Sequence, residues 1–204
     1  MCNLYSLTKS QQAIREFARA MFDRTGNLPF FPGIFPDYAA PIVRNRLDGR
    51  ELAMARWGMP SPLSALKGKK CDPGVTNVRN VKSVHWRVGS PSSIVASRLS
   101  PASRKTRRCL MAQGRRSGSP STSRPLGFFA GISTNWTSVR KVKEGEANND
   151  VLALLTSEPN AVVAQIRPKA MPVPLTTQDE IDLWMSAPAE EALKLQRPLL
   201  TMLS

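Results

Sequence analysis

The hydrophobic positions of this chain change period several times, and each change marks an element. From Ser10 to Thr25 they recur at helical spacing, with Ile14, Phe17, Ala18, Met21 and Phe22 on one face, Ser10 as N-cap and Gly26 at the stop. Residues 27–41 break that pattern with four prolines among aromatics and read as an ordered surface loop. Pro41 to Arg46 and Arg50 to Trp57 then read as two strands, joined by the hairpin signal Leu47-Asp48-Gly49. A Ser, Gly and Lys stretch over 61–74 leads to a short strand, Val75 to Asn80. Gly127 to Ser133 and Val151 to Thr156 are apolar enough for buried strands, separated by a polar loop over 137–150. Glu158-Pro159-Asn160 opens a short helical turn, and Arg167 to Leu175 is an extended segment held by three prolines. Thr177-Gln178-Asp179-Glu180 is a capping box that starts a helix with Ile181, Trp184 and Met185 inward, and a last helix runs from Pro188 to about Gln196. The expected fold class is α+β, a single domain over residues 1–204 with a mixed and antiparallel, barrel-like β core and peripheral helices.

One segment resists this reading. Residues 88–126 hold ten serines, eight basic residues and four prolines, no acid and no aromatic, with apolar residues too sparse for either period. It reads as a divergent, disordered basic stretch inside the domain. The charge follows it: the chain carries a formal +14, yet no acidic residue lies between Asp72 and Glu144, where fourteen Lys and Arg are found. A local basic excess of this kind points to a polyanionic partner.

Composition narrows the chemistry. Cys2, Cys71 and Cys109 are odd in number and lack metal-ligand spacing, which argues against a disulfide framework or a zinc site and fits a reducing cytoplasm. No run of about eighteen apolar residues is present, so no membrane partner is expected. No motif calls for a metal, nucleotide or organic cofactor. Cys2 is the distinctive position, because removal of Met1 would turn it into a 1,2-aminothiol. Its amine, of reference pKa roughly 7.7 to 8.0, condenses with an aldehyde, and its thiol, near ~8.5, closes a thiazolidine ring; alternatively the thiol acts as an acyl-transfer nucleophile. The bland alternative is a small hydrophobe early in the chain. Asn77 and Arg79, two apart on a strand, share one face and can enter one cleft; their plainer reading is a turn amide and a solvated cation. His85 is the one histidine, and followed by Trp86 it reads as structural.

Several short motifs coincide in order: Met1-Cys2, Trp57-Gly58 at a strand end, Asn77-x-Arg79, Phe128-Phe129-Ala130-Gly131-Ile132, Thr156-x-x-Pro159-Asn160, and Arg167-Pro168-Lys169-Ala170-Met171-Pro172. Together they resemble the SOS-response-associated peptidase family, also called abasic-site processing proteins, over residues 1–87 and 127 to about 198. The resemblance implies that Cys2 forms a covalent thiazolidine crosslink with the ring-opened sugar of an abasic site in single-stranded DNA. It assigns Asn77 to holding the cysteine and sugar, Arg79 to the DNA phosphates, and Pro41 and Trp57 to an apolar platform for a neighbouring base. It also implies a peptidase step by the same cysteine on its own leader. Separately, a monomer and a cytoplasmic location, on the nucleoid when DNA is bound, are expected. Other readings of the same residues are an N-terminal-nucleophile thiol peptidase and an inactive degenerate copy that binds nucleic acid nonspecifically.

Two positions depart from the family pattern. The family's glutamate belongs between the His85-Trp86-Arg87 and Phe128 landmarks, where this chain has no acid, and its histidine belongs where this chain has Arg167. Arginine stays protonated and cannot shuttle a proton as histidine does. The abrupt loss and in-register return of the pattern motivate the hypothesis that 88–126 is read out of frame between compensating shifts. Translating its coding DNA in the other two frames is expected to reveal a Phe-x-Glu motif; its absence from both would mark a genuine basic insertion.

Overall fold

The structure is a computed structural model that describes residues 4–7, 9–88, 90–98, 126–165 and 168–198. Two hairpins build most of its sheet. The first joins β4 (Ala39–Arg46) to β5 (Gly49–Trp57), in register from Arg46 opposite Gly49 to Ala39 opposite Arg56, as the Asp48-Gly49 signal predicts. The second joins β8 (Leu126–Val139) to β9 (Glu146–Ser157), from Val139 opposite Glu146 to Gly131 opposite Leu154. Its strands run well into 137–150, where the polar sequence predicts a loop. Asn148 there donates across the strands to Asn135 and Thr137, which supports the ladder through polar side chains.

Between the hairpins lies β7 (Ser90–Arg98), antiparallel to β4 through Ile42–Val95 and to β8 through Val95–Phe129. This strand corrects part of the disorder expected for 88–126; residues 99–125 lie outside the described set. Along one edge of β9 come β5 (Arg56 opposite Val151), then β6 (Asn77–Val78, with Asn77 opposite Leu154), both parallel, and then β10 (Met171–Pro172), antiparallel. β11 (Pro174–Leu175) pairs with β8. The pairings run β9–β5–β4–β7–β8 and back to β9, but the β5–β9 link spans only two residue pairs, so the core is barrel-like without a continuous ladder closing it into a barrel. The α+β class and the mixed sheet hold.

Short elements complete the fold. β1 (Tyr5–Leu7) pairs with β3 (Phe31–Ile34), a strand inside the proline-rich stretch expected to be loop. α1 (Gln11–Ala18) begins at Ser10, whose hydroxyl accepts from Ala13 N at 3.2 Å, but it stops earlier than the apolar spacing predicts. Arg19 turns left-handed, with φ 53°, and Phe22–Asp23 becomes β2, parallel to Glu51–Leu52 of β5. Tertiary pairing there overrides helical period, and Met21, expected inside, is exposed. α2 (Leu63–Leu66), α3 (Ala161–Ala164), α4 (Gln178–Ser186) and α5 (Ala189–Ala192) lie around the sheet, with one-turn 3₁₀ segments at Val84–Val88 and Leu193–Leu195. None of the described helices is long and apolar enough to cross a membrane.

α4 shows how sequence becomes packing. Thr177 and Glu180 form both hydrogen bonds of the capping box, which fixes the first turn and directs Ile181, Trp184 and Met185 into the core beside β7 and β11. Asp182, on its outer side, pairs with Arg50 of β5 at 2.7 Å and Arg19 at 3.1 Å, and Arg50 also donates to the Ala18 carbonyl. Trp184→Ala, which empties the largest side chain of this helix from the core, is expected to cost about 3–5 kcal/mol in urea unfolding. A loss under about 1 kcal/mol would show that α4 is not packed as described.

Candidate functional site

Trp57 ends β5 fully buried, and its indole must find an acceptor. Nε1 donates to the Thr76 carbonyl at 2.9 Å, and the same oxygen accepts from Leu154 N at 3.0 Å. Both lone pairs of that carbonyl are thereby used, and residue 76 is tied to β5 and β9 together. The next residues are β6: Val78 points inward, while Asn77 and Arg79 turn the other way, as their spacing predicts. Asn77 Nδ2 donates to Thr76 Oγ1 at 2.7 Å. Thr156, buried in β9, donates its hydroxyl to the Val78 carbonyl at 3.1 Å.

The N-terminal strand arrives at the same place. The Tyr5 ring meets Trp57 edge-on, with centroids 5.2 Å apart, and meets Phe129 at 6.3 Å. A chain of contacts therefore runs from β1 through Trp57 to the residue before Asn77. Cys2 and Arg167 lie outside the described residues.

Arg79 is half-exposed and held at two points, with Nη1 donating to the Lys169 carbonyl at 3.0 Å and Nη2 pairing with Glu158 Oε1 at 2.9 Å. Gln196 Nε2 reaches the carbonyls of Arg79 and Thr156, both at 2.8 Å. Glu158, Lys169 and Gln196 had no local signal in the sequence, because each meets Arg79 from a different element far along the chain. Glu158 sits inside the Thr156-x-x-Pro159-Asn160 motif, whose spacing marks the turn but not its partner.

Two expected site residues are corrected. Trp57 is fully buried and Pro41 is buried in β4 opposite Met54, so neither offers a face to a base. Their work is internal: Trp57 fixes Thr76, and Pro41 falls before the first β4–β7 pair, where a missing N–H leaves no ladder bond unmade. His85 is structural, with Nε2 bonded to the Pro60 carbonyl at 2.8 Å and its ring against Trp86 at 4.6 Å. Among the described residues no group of His, Cys, Asp or Glu is placed to hold a metal.

Beyond Trp57 the chain is anchored by a buried cation. Arg140, just after β8, donates to the Gly58 carbonyl and, at 3.2 Å, to the Asp72 carbonyl, with the carboxylates of Asp72 and Asp37 both 3.7 Å away. Gly58 and Gly74 form the cradle: a Cβ on either would run into the guanidinium, and Gly74 also has φ 72°. Burial favours the neutral form of Arg140 and lowers its pKa, while both aspartates favour the charge. Burial would raise Asp37, but hydrogen bonds from Arg56 at 2.7 and 2.8 Å, with the charges around it, hold its carboxyl below the ordinary value. Asp72 is likewise raised by burial and, on balance, lowered by Ser61, the Gly74 N–H and Arg140. An open cleft of about 420 Å³ adjoins this anchor, between α2, the 69–72 loop, His85 and the Trp136–Val139 end of β8.

No family model matches the chain, and no curated protein matches it. Solved structures do resemble it. A protein from Bordetella bronchiseptica aligns over 98% of this chain and 95% of its own, with a TM-score of 0.63 at 18% identity. A protein from Bacteroides thetaiotaomicron covers 98% and 88%, with a TM-score of 0.60 at 19% identity. A phage-related protein from Bordetella bronchiseptica gives 0.54 at 14% identity, over 96% and 88%. At these identities the likeness is one of fold.

Because Asp37 and Asp72 have depressed folded-state pKa values, the stability they contribute is present above the ordinary carboxylate value of 3.8 and is lost as pH falls through the lower folded values. Arg140→Met, which strands Asp72 without its cation, is expected to cost about 3 kcal/mol at pH 7 and to move the acid-unfolding midpoint upward. Tryptophan fluorescence against pH checks this, and coincident acid transitions in variant and parent would refute it.

Proposed function

We propose that this chain captures abasic sites in single-stranded DNA covalently through Cys2 after Met1 is removed. The free amine attacks the C1 aldehyde of the ring-opened sugar, and loss of one water gives an imine. The thiol sulfur then adds to the imine carbon as its proton passes to nitrogen, and the ring closes with no further leaving group. The observation that carries the reading is the contact of Tyr5 with Trp57, whose indole is bonded to the residue before Asn77. A segment three residues after Cys2 is thus packed against the support of the Asn77-x-Arg79 strand.

In this reading Asn77 supplies an amide beside the sugar and thiol. Arg79, braced by Glu158 and the Lys169 carbonyl, has further N–H donors for a phosphate. The glutamate and histidine of the resembling family have no counterpart at the expected positions of this sequence. Aminothiol and aldehyde condense unaided, so the reaction persists at a rate lowered by about 10²- to 10⁴-fold per missing acid or base.

Protein freed of Met1 and verified by mass is incubated with an oligonucleotide bearing one abasic site, and covalent product is read on a denaturing gel. A slow-migrating band is expected that disappears with Cys2→Ala or with an undamaged strand, and that weakens about tenfold with Arg79→Ala. Folded protein giving no such band would refute covalent capture.

A further inference from the structure

We propose that the cleft beside the Arg140 anchor is a nucleotide-binding site, taking a base against Trp136 and a phosphate at Lys69 and Lys70. It contains neither Asn77 nor Arg79, so its occupancy stands or falls independently of the chemistry at Cys2. Trp57 and Trp184 are buried, whereas Trp136, on the outer half of β8, is 39% exposed at the cleft wall. An indole left in water forgoes the burial its area offers, and a flat ligand would restore it. Leu63, also largely exposed, and Leu66 give the cleft an apolar side, and His85, fixed by the Pro60 carbonyl, adds a second ring.

The charge is complementary to an anion. Lys69 and Lys70 are exposed and enter no ion pair among the described residues, unlike Lys141 and Lys194, which pair with neighbouring glutamates. Asp72 is the one acid lining the cleft, and its carboxylate is buried on the Ser61 and Gly74 N–H groups beside Arg140. A flat apolar wall with an uncompensated cationic rim suits a nucleobase carrying a phosphate, and about 420 Å³ lies within the usual size of small-ligand sites. The walls are preformed: Arg140 ties the segments at Gly58 and Asp72 to β8, so binding need not order them.

The test uses Cys2→Ala protein, which cannot form the proposed crosslink, and an undamaged fluorescent decathymidylate read by anisotropy, with thymidine 5′-monophosphate as competitor. Trp136→Ala is expected to weaken binding at least about fivefold, while Trp136→Phe, which keeps a stacking face, stays near the parent. Lys69→Gln with Lys70→Gln is expected to reduce the slope of log K against log salt by about 0.7, the value for one phosphate contact on a single strand. Competition by the monophosphate assigns the site to free nucleotides, and its failure assigns it to a nucleotide within a strand. Unchanged affinity in both Trp136→Ala and the double lysine variant, with circular dichroism matching the parent, would overturn the proposal, because any binding would then reside in the basic residues outside the cleft.

Discussion

A tryptophan buried in a β core has one N–H to satisfy, and in this protein that requirement ties the sheet to the candidate site. The Thr76 carbonyl accepts from Trp57 and from Leu154, and the strand that follows runs along β9. Leaving such a donor unmatched would cost about 1–3 kcal/mol, comparable with a large share of a domain's net stability. From that single shared oxygen follow the inward turn of Val78 and the outward turn of Asn77 and Arg79. Tyr5 packs on the other side of the same indole, so the start of the described chain and the Asn77 strand use one support.

Charges inside the fold are distributed by the same economy of partners. Glu51, wholly buried, accepts from Arg44 at 2.7 Å and Arg24 at 3.1 Å, with Arg46 at 3.4 Å, while Arg44 reaches Asp150 as well. Asp37 is taken by Arg56 and Asp72 by backbone N–H groups beside Arg140. Many of the acids are thereby engaged by arginines or backbone, and exposed lysines such as Lys69 and Lys70 keep their charge for solvent or ligand. The basic excess read from composition belongs to such positions and to the acid-free stretch, rather than to the core.

Local chemistry made much of the fold legible. The Ser10 and Thr177 caps, the Asp48-Gly49 hairpin and the apolar runs at 127–133 and 151–156 are decided by residues within a few positions of one another. What misled was everything decided at a distance. Phe22 fits a helical face, yet β5 draws it into a strand. Ser90–Arg98 has no strand period, yet two neighbouring strands supply the ladder it completes. Period gives Trp57 its element but not the depth of its ring, which is fully buried and offers no surface to a base. Arg140 looks like any arginine in a basic stretch; its burial depends on Gly58 and Gly74, which spacing alone does not connect to it.

The parallel pairs of β9 with β5 and β6 have a consequence for how the molecule comes into being. Both hairpins can close from neighbouring residues, but Trp57 beside Leu152 and Asn77 beside Leu154 join parts of the chain that are remote in sequence. Such loops lose their freedom before they gain their contacts, which makes these pairings the slow steps of folding. A nascent chain would expose β4 and β5 long before β9 has been synthesised, and Asn77 would wait in an unformed strand. The platform behind the site is therefore absent from a chain in which β9 has not yet joined β5 and β6.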